Sequence, residues 1–222
     1  MVGSLSTTPL PLPSPRRPLG PGDRARHWYE NDLGWATVPG EPVRLVVGLR
    51  FDVLDVPAEA GRAALRHLGP GSPVAVSGDR MRLLVAAGGA EELPGLLRWL
   101  EWDPSALELD LVALGAGTLM EAPPLPDAGP PGARPLPPGR SGSQGAAVWL
   151  RPPGPGCEAD SSLPTLSAVG GGRDAPDLVR LVDTLATHCH RIRLRRACAQ
   201  PSQPSTCSRG LVRAPGQPFA FS

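Results

Sequence analysis

Prolines crowd the two ends of this chain and one stretch in its middle, and that placement decides where a packed core can form. Proline fixes φ and lacks an amide hydrogen, so a proline-rich run supports neither a helix interior nor a central strand. Pro and Gly number 30 and 27 among 222 residues, about a quarter, near the level where low complexity begins. Part of the chain is therefore expected to fold and part not.

Residues 1–23, with "PLPLPSPRRP", read as an extended, unfolded arm. Residues 24–123 carry the periodic apolar signal of a core. Residues 124–146 read as a Pro/Gly linker or loop. Residues 147–197 supply a returning strand and a C-terminal amphipathic helix of the same domain, and residues 198–222 lose pattern and read as a disordered tail.

Within the core, "DRARHWYENDLGWATVPG" suits a short helix with Trp28 and Leu33 on its buried side. "VRLVVGL" is a continuous apolar run of strand length that ends near Asp52 and Asp55. "PAEAGRAALRHLG" reads as a helix with Pro57 in its first turn and Gly69 at its end, packing through Ala60, Ala63, Ala64, Leu65 and Leu68. "SPVAVSGDRMRLLVAAG" reads as two strands around Gly78-Asp79, and "AEELPGLLRWLEW" as an amphipathic helix through Leu93, Leu96, Leu97 and Leu100. "LELDLVALGAGTLMEAPP" adds a strand, a Gly turn and a strand. "DAPDLVRLVDTLATHCHRIRLRR" gives the clearest helix, capped by Asp174 with Pro176 in its first turn and striped by Leu178, Leu181, Val182, Leu185, Cys189 and Ile192. Such an order predicts an α/β (α+β) layer with flanking helices.

The net charge is +1, but it is unevenly spread. Residues 41–123 hold 7 Arg against 12 Asp and Glu, about −5, whereas residues 173–222 hold 8 Arg against 3 Asp, about +5. An acidic core is a poor surface for a phosphate backbone. All 22 basic residues are Arg, and Ile, Asn and Tyr occur once each, the bias that high-GC bacterial coding of the actinobacterial kind imposes. Cys157, Cys189, Cys198 and Cys207 form no C-x-x-C pair, which fits a reducing, cytoplasmic setting and no zinc pattern. The proline-broken N-terminus is no signal peptide, and no apolar run reaches the roughly 18 residues of a membrane span.

Asp52 and Asp55 have two readings. Aspartate at a strand end bonds nearby backbone amides, and paired carboxylates at a strand end also hold metals. Spaced three apart, the two fall on opposite faces of a regular strand, which favours the strand-end reading. His188 and His190 flank Cys189 but lie about 200° apart on a helix, so they do not share a ligand face. The Gly runs at 69–73 and 115–117 lack phosphate-loop spacing and read as turns. Arg191, Arg193, Arg195 and Arg196 end the last helix, where the dipole favours cations, and they also offer nucleic acid a basic surface. Trp99 and Trp102, three apart on one helix, suit a packing edge for another chain.

Four stretches together resemble the N-terminal domain of bifunctional DNA primase–polymerases, of the archaeo-eukaryotic primase superfamily. They are "HWYENDLGWATVPG", "VVGLRFDVLDVPAEAG", "SGDRMRLLV" and "LELDLVALGAGTLMEAPP", and they cover about half the chain. The resemblance implies a primase–polymerase-like mixed sheet with flanking helices. It also implies two-metal nucleotidyl transfer, with Mg²⁺ or Mn²⁺ held by carboxylates. By its motifs Asp55 is the first carboxylate and Asp110 the third, Asp52 is a weaker metal candidate, and Ser77 and Arg80 fall in the nucleotide-binding turn. The second carboxylate falls on Pro57 and the expected His on Met81.

The resulting expectation is a catalytically degenerate primase–polymerase-like domain that acts as a binding or regulatory module on a protein partner. It needs no cofactor. The first alternative is a divergent metal-dependent nucleotidyltransferase using Mg or Mn, and the second is an adaptor working through its Pro-rich arm.

Overall fold

A computed structural model describes residues 20–102, 107–125, 147–154, 158–166 and 177–199. The Pro-rich arm up to residue 19, most of the 124–146 linker and the tail from residue 200 lie outside the described residues, as do Cys157 and Cys207.

Helices and strands form the expected α/β layers. Helix α1 (Pro21–His27) runs into a π-helical turn at Trp28–Asp32. Strands β1 (Thr37–Val38) and β2 (Arg44–Val46) follow, then β3 (Phe51–Pro57), α2 (Ala58–Ala64) and a 3₁₀ turn at Leu65–His67. The hairpin β4 (Val74–Ser77) and β5 (Arg80–Ala86) precedes α3 (Gly89–Trp99). Strands β6 (Val112–Leu114), β7 (Leu119–Glu121) and β8 (Val148–Arg151), the short α4 (Glu158–Ser161) and the long α5 (Leu178–Ala199) complete the order.

Two sheets result. One has the order β6-β3-β5-β4-β8 and the other β1-β2-β7. Every described pairing in both is antiparallel, which corrects the mixed sheet the resemblance implies.

The strand expected at 43–49 is also corrected. Its first half is β2, in the small sheet, and β3, an interior strand of the large sheet, starts only at Phe51. Between them Gly48 takes φ 93° and lies so close to Ala116 that an added Cβ would sit 2.2 Å from Ala116 Cα. Only glycine fits there, and the chain uses it to step from one sheet to the other. Asp52 and Asp55 therefore lie inside a seven-residue strand, not at the end of one.

The large sheet is buried on both faces by different elements. On one face Leu54, Val56, Val74, Met81, Leu83 and Val85 pack under α2, α3 and α5. The expected stripe of α5 is buried there in full, from Leu178 to Ile192. On the other face Phe51, Val53, Ala75 and Leu84 meet Tyr29, Leu33, Trp35, Leu45, Met120 and Leu163. Tyr29, Trp35 and Phe51 are the buried aromatics of this face; Trp28 is only partly covered. The Tyr29 hydroxyl donates to the Pro123 carbonyl at 2.7 Å and accepts from Trp149 Nε1 at 3.0 Å, tying the first helix to both sheets.

Helix α5 is capped by Asp177, whose carboxylate accepts from the Val179 amide at 2.9 Å. Asp174 and Pro176 lie outside the described residues. Trp102 leaves the end of α3 and donates to Asp183 of α5, while Trp99 is 71% exposed, so the two do not share one edge.

Candidate functional site

Alternation along β3 sorts its two aspartates to opposite faces. Asp55 shares the face of Phe51 and Val53, and Asp52 the face of Leu54 and Val56. Antiparallel register then brings cationic neighbours to Asp55. Asp55 pairs with Arg82 of β5 and Val112 of β6, and one row on Pro57 pairs with Arg80, itself opposite Ser77 of β4. The two-residue loop Gly78-Asp79 fixes that register, and the Asp79 carbonyl accepts from the Ala58 amide at 2.7 Å, locking the hairpin to the start of α2.

Arg80 is the centre of the arrangement. Its Nε donates to Asp55 Oδ1 at 2.6 Å, its Nη2 to the Asp55 carbonyl at 2.9 Å and its Nη1 to Asp110 Oδ1. Arg82 Nε reaches Asp55 Oδ2 at 3.2 Å. Arg196 of α5 approaches Asp110 Oδ2 at 3.4 Å. The side chains of Asp55, Arg82 and Arg80 keep 15%, 20% and 27% of their surface, so the cluster is half-sunk and reachable from solvent. Burial disfavours the charged guanidinium of Arg80, but hydrogen bonds to Asp110 and Asp55 outweigh it and hold its proton more firmly than in an ordinary arginine.

Asp55, Asp110, Ser77 and Arg80 are thus brought to one end of the large sheet. Asp52 is not among them. It is buried on the helix-covered face, where its Oδ2 accepts from the Ala90 amide at 2.9 Å at the start of α3. Gly88 precedes that helix and has no side chain with which to cap it, so a carboxylate from β3 does so instead. Met81 is fully buried among the helix-facing residues of β5, so a histidine at 81 would point into the core and away from Asp55.

At Asp55 and Asp110, where the resemblance implies metal ligands, guanidinium groups are the partners present. Both oxygens of Asp55 and both of Asp110 face guanidinium groups, and the i+2 position on the Asp55 face is Pro57, with no side-chain ligand. Among the described residues no three His, Cys, Asp or Glu side chains are grouped as a metal site needs. The residues present do not fit a two-ion centre.

Sequence reasoning missed the ties that run from α5 to this end of the molecule. Cys189 is buried and its Sγ lies 3.5 Å from the Asp110 carbonyl; burial, with Asp110 beside it, pushes the thiol up to about 12. Arg193 bonds the Leu107 carbonyl and Glu108, and Arg195 grips both oxygens of Glu59 at 2.5 and 2.6 Å. Three of the four arginines offered to nucleic acid are therefore paired within the chain; Arg191 is exposed. The opposite charges of core and C-terminal helix were the signal for this. No helix among the described residues is long and apolar enough to cross a membrane.

Compared with models of protein families, with curated proteins and with solved structures, the chain matches none.

Proposed function

We propose that this chain is a binding or regulatory module, a primase–polymerase-like layer in which an internal arginine replaces the metal centre. The observation that carries the reading is Arg80, whose guanidinium joins Asp55 and Asp110. A fixed cation there, with Arg82 and Arg196 beside it, occupies the two carboxylates that a metal-dependent transferase would leave for its ions. The function then lies in what the surface holds. Exposed Trp99, and Val148 and Leu150 on edge strand β8, offer apolar area suited to a protein partner.

One observation favours the enzyme reading. Asp55 of β3 and Asp110 of the segment before β6 converge on one cation, as ligands of a single Mg or Mn ion would. The adaptor reading rests on the Pro-rich arm, which lies outside the described residues save its last few positions.

A Mn²⁺ titration followed by electron paramagnetic resonance, with and without a deoxynucleoside triphosphate, separates the first two. The module reading expects no binding to the wild-type chain at micromolar Mn²⁺. Micromolar binding abolished by Asp55→Asn, together with template-directed nucleotide incorporation by the purified chain, overturns it.

A further inference from the structure

Helix α5 is held to the domain in two different ways along its length. From Leu178 to Ile192 it is anchored by buried apolar side chains. From Arg193 to Ala199 no residue is buried, and Leu194 is 51% exposed. That last stretch is attached by charge. Arg193 pairs with Glu108, Arg195 with Glu59 at the start of α2, and Arg196 with Asp110. The Arg195 hydrogen bond also holds the Glu59 carboxyl below the usual carboxylate range.

We propose that the end of α5, from Arg193 to Ala199, is an electrostatic latch that ties down at the Asp110 edge of the Asp55–Arg80–Asp110 cluster and opens when its ion pairs are outcompeted. Each of these pairs is solvent-exposed on at least one side, and such pairs are weak singly and screened by salt. Three together, reaching α2 at Glu59 and the 108–110 segment before β6, hold the helix end down cooperatively. Opening withdraws Arg196 from Asp110, leaves that carboxylate to Arg80 alone, and turns the released arginines outward beside Arg191. The latch thereby controls both the second partner of Asp110 and the availability of the basic helix end to an anionic competitor. The importance given to this face rests on the reading of it as the binding site; the latch itself does not.

Hydrogen exchange of the full chain, read by mass spectrometry, tests the latch. A released helix end that buries nothing frays, so its amides lose protection while the anchored part keeps its own. Raising the ionic strength from about 0.01 M to about 1 M shortens the Debye length from about 30 Å to about 3 Å. The wild-type chain is expected to exchange the amides of residues 195–199 about tenfold faster at the higher salt, with residues 181–190 unchanged. The exposed-site double variant Glu59→Gln/Glu108→Gln is expected to show the fast exchange already at low salt and to lose most of its salt dependence. Salt-independent exchange of 195–199 in the wild type, or a double variant that matches the wild type at low salt, overturns the proposal. Neither outcome involves metal or nucleotide, so failure of the latch and failure of the module reading are distinguishable.

Discussion

Arg80 holds Asp55 at two points, through Nε to the carboxylate at 2.6 Å and through Nη2 to the backbone carbonyl at 2.9 Å. The double grip makes Arg80 part of the strand pairing of β3 as well as a counter-charge. Its remaining nitrogen reaches Asp110, so one side chain closes the end of the sheet across β5, β3 and the approach to β6.

Arg80→Ala is therefore expected to destabilise the fold by about 1–3 kcal/mol, between the ranges for exposed pairs and for fully buried ones. Much of that loss reflects two carboxylates left partly desolvated without their cation. Adding Asp55→Asn should recover part of it. Urea denaturation of the wild type, both single variants and the double variant gives the coupling, and additive effects would show that the two side chains act independently.

Asp52 is expected to behave as a helix-capping residue and not as a ligand. Asp52→Ala removes the acceptor of the Ala90 amide and should cost about 1–3 kcal/mol. Asp52→Asn keeps an acceptor and should cost roughly 1 kcal/mol or less. Both variants should leave unchanged any Mn²⁺ signal measured on the chain, because the carboxylate lies on the far face of the sheet from Asp55. A change in that signal equal to the Asp55→Asn change would contradict the assignment.

The sequence made the helices and the apolar stripe legible because their periodicity is long. Six stripe positions of α5 and the leucines of α3 recur often enough to define a face. What it hid was short or non-local. The step from β2 to β3 turns on the single Gly48, inside an apolar run that reads as one strand. The α3 cap comes from Asp52, 38 residues upstream of the amide it serves. Asp55, Asp110 and Arg80 could each be singled out from the sequence, but not that the third would pair with the first two, because register decides which side chains meet. The opposite charges of core and helix were countable, and their meeting at Glu59, Glu108 and Asp110 required the fold.

Gly48→Ala tests the crossing between sheets. The new Cβ would meet the Ala116 backbone at 2.2 and 2.5 Å in a left-handed conformation, and backbone cannot swing aside as a side-chain tip can. A loss of about 2–4 kcal/mol is expected from strain and overpacking together. Gly34 has φ 68° with nothing within 4 Å of its Cβ position, so Gly34→Ala should cost only the conformational part, roughly 1–2 kcal/mol. Equal losses at the two sites would mean that the approach to Ala116 is unimportant.

Cys189 and Cys198 should differ in reactivity by their burial. The Cys189 thiol, pushed up to about 12, is almost wholly protonated at pH 8 and shielded from reagent, whereas Cys198 is exposed at the end of α5. Iodoacetamide followed by peptide mass analysis should show Cys198 modified in the native chain and Cys189 only after denaturation. Native modification of Cys189 at the rate of Cys198 would place α5 away from the sheet.

Stability should fall as pH drops below about 6.5, in part through His67. Burial lowers the pKa of this imidazole from 6.5, Arg66 and Arg180 lower it further, and Asp177 and Asp183 only partly offset them. Thr184 of α5 lies 2.9 Å from its Nε2, within hydrogen-bond reach. The folded value is thus below the unfolded one, so below about 6.5 the unfolded chain takes up a proton that the folded chain resists, and unfolding gains. The stabilisation is present in full above 6.5 and is lost as pH falls toward the folded value. Urea midpoints measured from pH 7.5 down to 5.5 should decline for the wild type and decline less for His67→Gln. Parallel declines in the two chains would assign the acid sensitivity to other groups.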